Sequence, residues 1–187
     1  LLCGTHPKAC YRRYGSWPKN NWCRHENGLR ILISFCAKEA AKYDRSIEPL
    51  ISYYEGHYFR TYLKIIEGAK KANETLEKLD YYKFDEVGWE KNGETGPLWS
   101  GKLFSNKVID NLDEVGELGD ELLELWKNET NMPCFFYDTN IIGKYFKIAP
   151  PPMEDVLENL QNRGYKVSRT HFSPTGIKTD ASKDVIE

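Results

Sequence analysis

Several things are scarce or missing in this sequence, and each absence removes a class of protein. There is no apolar run long enough to cross a bilayer, because the longest candidate, Leu29 to Ala41, is interrupted by Arg30, Ser34, Lys38 and Glu39. No signal-peptide pattern opens the chain. No G-x-G-x-x-G stands anywhere in it, so a mononucleotide-type cofactor loop has to lie outside these residues. The five cysteines are odd in number and irregularly spaced, which fits reduced thiols in a cytoplasmic protein better than a disulfide framework. Cys3, His6, Cys10, Cys23 and His25 lack the close C-x2-4-C pairing of structural zinc sites, so no metal is expected. The same residues would permit a Cys-His nucleophilic pair by composition, but their spacing gives it no support. A surplus of charge is missing too: the formal net charge is −2, which argues against a uniformly basic nucleic-acid binder.

What is present is a folding sequence with strong internal contrast. Its 187 residues, 40% hydrophobic and 13% aromatic, suffice for one large core or two modest ones. Residues 1–30 carry six Lys or Arg against one Glu, whereas residues 74–130 carry six against fifteen Asp or Glu. A phosphate-binding surface is therefore expected to be local, drawn from the N-terminal segment and the C-terminal end, with the acidic middle turned elsewhere.

Leu1 to Pro18 lacks sustained periodicity and reads mostly as loop with one helical turn. Within it Arg12 and Arg13 are flanked by Tyr11, Tyr14 and Trp17, combining phosphate-pairing forks with stacking surfaces. Alternatively, the aromatics merely cover the edge of the next helix. Leu29, Leu32, Ile33, Cys36, Ala40 and Tyr43 follow helical spacing and predict a helix over about 24–43. Ile47–Tyr54 and His57–Glu67 read as two antiparallel strands turning at Glu55-Gly56, an arrangement common at the closing edge of an α/β sheet. Gly68 is the expected domain boundary. A charged helix is predicted over 69–79, one short strand over 81–91, and a loop over 92–101 anchored by Leu98 and Trp99. One or two amphipathic helices follow over 105–130, with faces at Val108, Ile109, Leu112 and Val115 and at Leu118, Leu122, Leu125 and Trp126. Gly116 and Gly119 would separate them, and the many carboxylates there read as a solvated face.

After an extended Met132–Tyr137, Asp138 is a plausible N-cap. Met153, Val156, Leu157 and Leu160 mark one buried helix face, entered through Pro150–Pro152 and stopped by Gly164. Ser173-Pro-Thr-Gly176 suits a tight reversal between two strands. The predicted order over about 138–180 is helix, turn, helix and a two-stranded wing, a winged-helix-like module whose hairpin carries Lys166, Arg169, His171 and Lys178. A helix-hairpin packing module with merely solvated charges fits the same pattern.

Three stretches taken together resemble one family, the archaeal and eukaryotic tRNA (guanine-N2) dimethyltransferases, which modify the guanine between the D stem and the anticodon stem. They are Leu2-Cys-Gly-Thr-His-Pro-Lys-Ala-Cys-Tyr-Arg-Arg-Tyr-Gly15 with Cys23-Arg-His-Glu26, then Gly96-Pro-Leu-Trp-Ser-Gly101, and Ser168-Arg-Thr-His-Phe-Ser-Pro-Thr-Gly-Ile-Lys-Thr-Asp180. The likeness runs in order over nearly the whole chain. It implies an α/β plus α+β fold, in which residues 1–68 are the second half of a class I (Rossmann-like) methyltransferase domain and residues 69–187 a C-terminal tRNA-binding domain. It also implies S-adenosylmethionine as methyl donor and tRNA as partner, together with the missing first half of the catalytic domain. In that layout Leu1 falls just after the family's catalytic Asp-Pro-Phe/Pro motif. The cofactor site and catalytic aspartate are therefore expected upstream, and this chain is expected to be inactive alone. The residues left for it are a target-base pocket wall at Tyr11, Tyr14 and Trp17, and a grip on tRNA through Arg12, Arg13, Arg24, Arg169, His171 and Lys178. Rival expectations are a stand-alone winged-helix nucleic-acid-binding protein without enzymatic activity, and a structural module that binds neither DNA nor tRNA.

Overall fold

A computed structural model describes residues 1–112 and 117–186. Its order is α1 (Pro7–Tyr14), α2 (Arg24–Ala41), β1 (Arg45–Glu55), β2 (Tyr58–Glu67), α3 (Ala69–Leu76), β3 (Leu79–Phe84), β4 (Trp89–Lys91) and β5 (Thr95–Trp99). It continues with α4 (Asn106–Ile109), α5 (Glu117–Glu129), β6 (Tyr137–Asp138), α6 (Thr139–Phe146), α7 (Met153–Asn162), β7 (Val167–Thr170), β8 (Ser173–Thr179) and α8 (Lys183–Ile186). The result is an α/β architecture of small antiparallel sheets among helices: β1–β2, then β4–β3–β5, then β6–β8–β7.

α2 organises the larger core. It buries Leu29, Ile31, Ile33 and Ala37, but also Glu26, Asn27, Arg30 and Ser34, so it is covered on more than one side. Its helical spacing predicts the helix correctly, while Tyr43 falls beyond its end and is 75% exposed. The apolar cluster on α2 takes Ile47 from β1, Tyr82 and Phe84 from β3, Leu98 and Trp99 from β5, and Phe135 and Phe136 before β6. Packing therefore runs across Gly68, and Ser46 of β1 hydrogen-bonds Thr75 of α3 at 2.7 Å.

The expected single strand over 81–91 is two, β3 and β4, paired across Asp85–Gly88. Asp85 Oδ1 accepts from the Val87 and Gly88 amides and closes that turn, an Asx-type signal that the composition does carry. The expected loop over 92–101 is instead mostly β5, pairing with β3 and burying Leu98 and Trp99. Val115 and Gly116 lie outside the described residues, as does the side chain of Leu118.

The smaller core gathers Tyr137, Ile142, Leu160 and Ile177, with Met153, Val156 and Leu157 packed against it, so the predicted face of α7 is the buried one. Gly164 ends that helix at φ +85°, with the Tyr165 amide bonded back to the Leu160 carbonyl. Asp138 caps α6 through the Asn140 and Ile141 amides. The reversal of the hairpin is at His171–Phe172, not at Ser173–Gly176, which belongs to β8. The physical reason is Asp138: Ser173 and Thr175 hydroxyls donate to its carboxylate, and Gly176 pairs with it across β6.

Candidate nucleic-acid interface

α1 starts with Pro7, whose missing amide removes no helical bond, and ends at Gly15 in the left-handed region at φ +60°. Lys38 of α2 reaches over this end. Its Nζ donates to the carbonyls of Tyr14 and Gly15, both at 2.9 Å, and so neutralises the negative end of the helix. The chain then locks onto β5 by a reciprocal pair of bonds, Trp17 N to Gly96 O at 2.7 Å and Gly96 N to Trp17 O at 2.8 Å. Ser16 Oγ adds a bond to Pro97 O.

This scaffold holds Trp17 flat against Tyr11, ring centroids 4.5 Å apart and planes 14° from parallel. The two rings are 40% and 48% exposed, so their outer faces are open. Arg12 and Arg13 are exposed on the last turn of α1 beside them. Tyr14 is not part of the stack: it is half-buried edge-on against Phe35 at 5.4 Å. Of the three aromatics expected to form a pocket wall, Tyr11 and Trp17 form a two-ring platform and Tyr14 stands apart from it. Lys38 and Gly96, which fix the platform, carry no sequence signal because their partners are remote in the chain.

Arg24 is exposed on the first turn of α2, near Cys3 and His25. Cys3 Sγ and His25 Nδ1 come within 3.8 Å, with the imidazole stacked on Tyr54. Burial raises the Cys3 thiol, while burial and the Arg24 charge lower His25, so both groups are held neutral rather than as a thiolate–imidazolium pair. Among the described residues no group of three or more His, Cys, Asp or Glu is placed to hold a metal ion. All five cysteines are free thiols.

Two of the six expected tRNA grips have buried side chains. The side chain of Lys178 is 3% exposed, with Nζ 2.9 Å from Glu26 Oε1 and 3.6 Å from Glu129 Oε2. His171 donates its backbone amide and Nδ1 to Glu129 Oε1, and its ring is 1% exposed. The sequence leaves both on an open hairpin, whereas β8 is buried over four successive residues, Gly176 to Thr179, and His171 lies in the turn against Glu129. Arg169 is exposed, tied to the Pro174 carbonyl at 3.2 Å, and lines an open cleft with Glu121 and Glu124.

Lys178 instead belongs to a buried network joining α2, α5 and β8. Glu26 Oε1 accepts from Arg30 Nε and Nη2, Lys178 Nζ and the Phe135 amide, at 2.7–2.9 Å. Arg30 Nη1 donates onward to the carbonyls of Trp99 and Gly101. Burial alone would raise Glu26, but the charges of Lys178 and Arg30 and these hydrogen bonds outweigh it and hold the carboxyl below its ordinary value. Burial likewise acts against Glu129, and the His171 and Lys178 contacts overcome it.

A family model described as N2,N2-dimethylguanosine tRNA methyltransferase matches residues 1–187. The tRNA (guanine(26)-N(2))-dimethyltransferase of Pyrococcus abyssi is 40% identical, over 98% of this chain and 53% of that protein. Its Pyrococcus furiosus counterpart is 42% identical, over the same shares. A solved structure of Trm1 from Pyrococcus horikoshii, in complex with S-adenosyl-L-methionine, superposes with a TM-score of 0.90 at 38% identity, over 98% of this chain and 54% of that one. The chain spans about half the length of the relatives it matches. By the full-length family match and the near-complete superposition, this chain belongs to the N2,N2-dimethylguanosine tRNA methyltransferase family.

Proposed function

We propose that this chain is the tRNA-handling portion of an S-adenosylmethionine-dependent tRNA guanine-N2 dimethyltransferase. In this reading residues 1–68 complete a methyltransferase domain begun by an upstream half, and residues 69–187 serve tRNA binding, with a winged-helix-like unit over about 138–180. The observation that carries the reading is the exposed Tyr11–Trp17 platform, with Arg12 and Arg13 exposed on the same helix as Tyr11. A target base stacked in a tRNA core has to be turned out, and exposed aromatic faces with guanidinium forks beside them are what receive an unstacked base and its phosphates. A guanine amine is a poor nucleophile, since its lone pair is delocalised into the ring, so the platform's task is orientation.

The cofactor would supply the methyl group, and two of the cavities do not suit it. The groove below α3 presents Lys71, Lys78, Lys102 and Lys107, which repel a sulfonium cation. The cavity of about 320 Å³ under α7 is lined mainly by Ile142, Ile148, Val156 and Leu160. Burial of Lys178 and His171 weighs against a stand-alone winged-helix binder, because it removes the Lys178 ammonium and the His171 imidazole from the surface.

The test is methyl transfer to tRNA transcripts by the chain joined to the family's upstream half, against the chain alone. Transfer is expected only from the joined protein; Trp17→Leu should reduce it about 5- to 160-fold, a stacking contact being worth about 1–3 kcal/mol, and Arg12→Gln/Arg13→Gln should reduce it as well. Wild-type turnover in both variants would overturn the assignment.

A further inference from the structure

We infer that the cavity between residues 100–104, residues 129–134 and β8 is a binding site for one small oxyanion that keeps a proton, of the hydrogen phosphate or bicarbonate kind. It is separate from the Tyr11–Trp17 platform and takes a free ion, not a polynucleotide.

The cavity measures about 220 Å³, and Arg30, Lys102, Glu129, Cys134 and Lys178 are among its lining. Three of these charged side chains are interior: Arg30 and Lys178 are each 3% exposed and Glu129 is 1% exposed. Their hydrogen bonding among the described residues is incomplete. An ammonium carries three N–H donors, and Lys178 donates a single hydrogen bond, to Glu26 Oε1 at 2.9 Å. A guanidinium carries five, and Arg30 uses four of them, on Glu26 Oε1 and on the carbonyls of Trp99 and Gly101. Glu129 Oε2 is buried without a hydrogen-bond partner among the described residues and stands 3.6 Å from Lys178 Nζ, too far for a hydrogen bond. The cavity therefore gathers desolvated donors to spare and one desolvated acceptor to spare.

Charge selects the sign of the ligand. Arg30, Lys102 and Lys178 line the cavity with Glu129, and Glu26 is bonded to two of these cations, so a monoanion balances three cations against two carboxylates. Lys102 is exposed and held by the neutral side chains of Asn131 at 2.6 Å and Asn106 at 3.1 Å, which leaves its charge free to draw an anion inward.

The spare acceptor selects the chemistry. Contacts with His171 and Lys178 keep Glu129 ionised against its burial, so its oxygens only accept. Sulfate, made of acceptors alone, sets an oxygen against that carboxylate and leaves Oε2 unpaired. Hydrogen phosphate and bicarbonate accept from Lys178 and Arg30 and donate their own O–H to Oε2. A phosphodiester has no such O–H, which excludes a nucleic-acid backbone on the same ground as sulfate. The bound ion ties α2, α5 and β8 together.

The test is calorimetric titration of inorganic phosphate, bicarbonate and sulfate, at matched ionic strength, into the chain joined to the family's upstream half. Titration is preferred to melting because sulfate and phosphate both stabilise folded proteins by exclusion from the surface. Phosphate or bicarbonate is expected to saturate one site and to bind about 5- to 160-fold tighter than sulfate, the worth of one buried acceptor left unpaired. The tighter of the two identifies the ion. Glu129→Gln, whose amide donates as well as accepts, should erase the preference over sulfate. Cys134 lines the cavity and Cys36 does not, and both are half-buried free thiols, so the bound ion should slow iodoacetamide labelling of Cys134 and leave Cys36 unchanged. Equal affinity for sulfate, no saturable uptake of phosphate or bicarbonate, or Cys134 labelling that tRNA slows and the ions do not, would overturn the site. These comparisons on the unmutated protein decide the matter whether or not Glu129→Gln folds.

Discussion

Replacing Glu26 with glutamine should unfold the protein far more readily than its modest change of shape suggests. One oxygen of Glu26 accepts four donors, two from Arg30 and one each from Lys178 and the Phe135 amide. Glutamine keeps an acceptor there but removes the charge, leaving the buried Arg30 and Lys178 with Glu129, whose Oε2 is 3.6 Å from Lys178. Breaking a buried ion pair from one side costs about 3–5 kcal/mol, because the remaining charge is left desolvated. For a chain of this size each kcal/mol moves the melting temperature by about 2–4 °C, so Glu26→Gln should melt about 6–20 °C lower. Calorimetry or circular dichroism reads that shift directly. Lys178→Met is the informative partner: it removes one of the stranded cations, so the double variant should lose less than the two single losses together, by about 0.5–3 kcal/mol. A fall of less than about 3 °C for Glu26→Gln, near 1 kcal/mol, or strict additivity in the cycle, would refute the network as the joint between α2 and β8.

The same carboxylates set an acid limit. Glu26 and Glu129 both lie below the ordinary glutamate value of 4.5 in the fold. A lowered folded pKa contributes stability that is complete above the unfolded value and is lost as pH falls through the folded one. The urea midpoint should therefore be insensitive to these groups above 4.5 and drop steeply below it, with a shallower drop in Glu26→Gln; parallel acid limbs would contradict this. Arg169→Ala should reduce tRNA affinity only slightly, with a slope change of less than about one phosphate, since Glu121 and Glu124 line the same cleft, and a full-phosphate loss would restore Arg169 as a principal grip. Gly4→Ala should destabilise the N-terminal loop: at φ +88° a Cβ would sit 2.5 Å from the Asn20 amide nitrogen, and conformational strain alone is worth roughly 1–3 kcal/mol. An unchanged melting temperature would show that the loop relaxes freely.

What can be read from the sequence is what local physics decides. The helix at α7 is announced by four apolar residues on one face and its glycine stop, and α6 by the capping carboxylate of Asp138. The β1–β2 hairpin is equally local. The failures have one origin, a decision made by residues distant in the chain. Ser173-Pro-Thr-Gly176 has turn composition, yet Asp138, thirty-odd residues earlier, recruits its hydroxyls and draws it into β8. β5 has loop composition, yet β3 supplies its ladder.

The charged residues of the hairpin show the same limit of local composition. A segment rich in Lys, Arg and His invites a phosphate role when only its composition is visible. In the fold Lys178 pairs with Glu26 and His171 hydrogen-bonds Glu129, so both are engaged inside the protein, and Glu129 is buried where the acidic composition of the chain's middle suggests a solvated carboxylate. Arg12 and Arg13 stay on the surface for an opposite reason. They sit at the carboxyl end of a short helix whose dipole is already answered by Lys38, so their guanidinium groups are not needed to cap it. A cation that the fold does not consume, next to an exposed ring pair, remains available to a ligand, and that difference separates the platform from the hairpin.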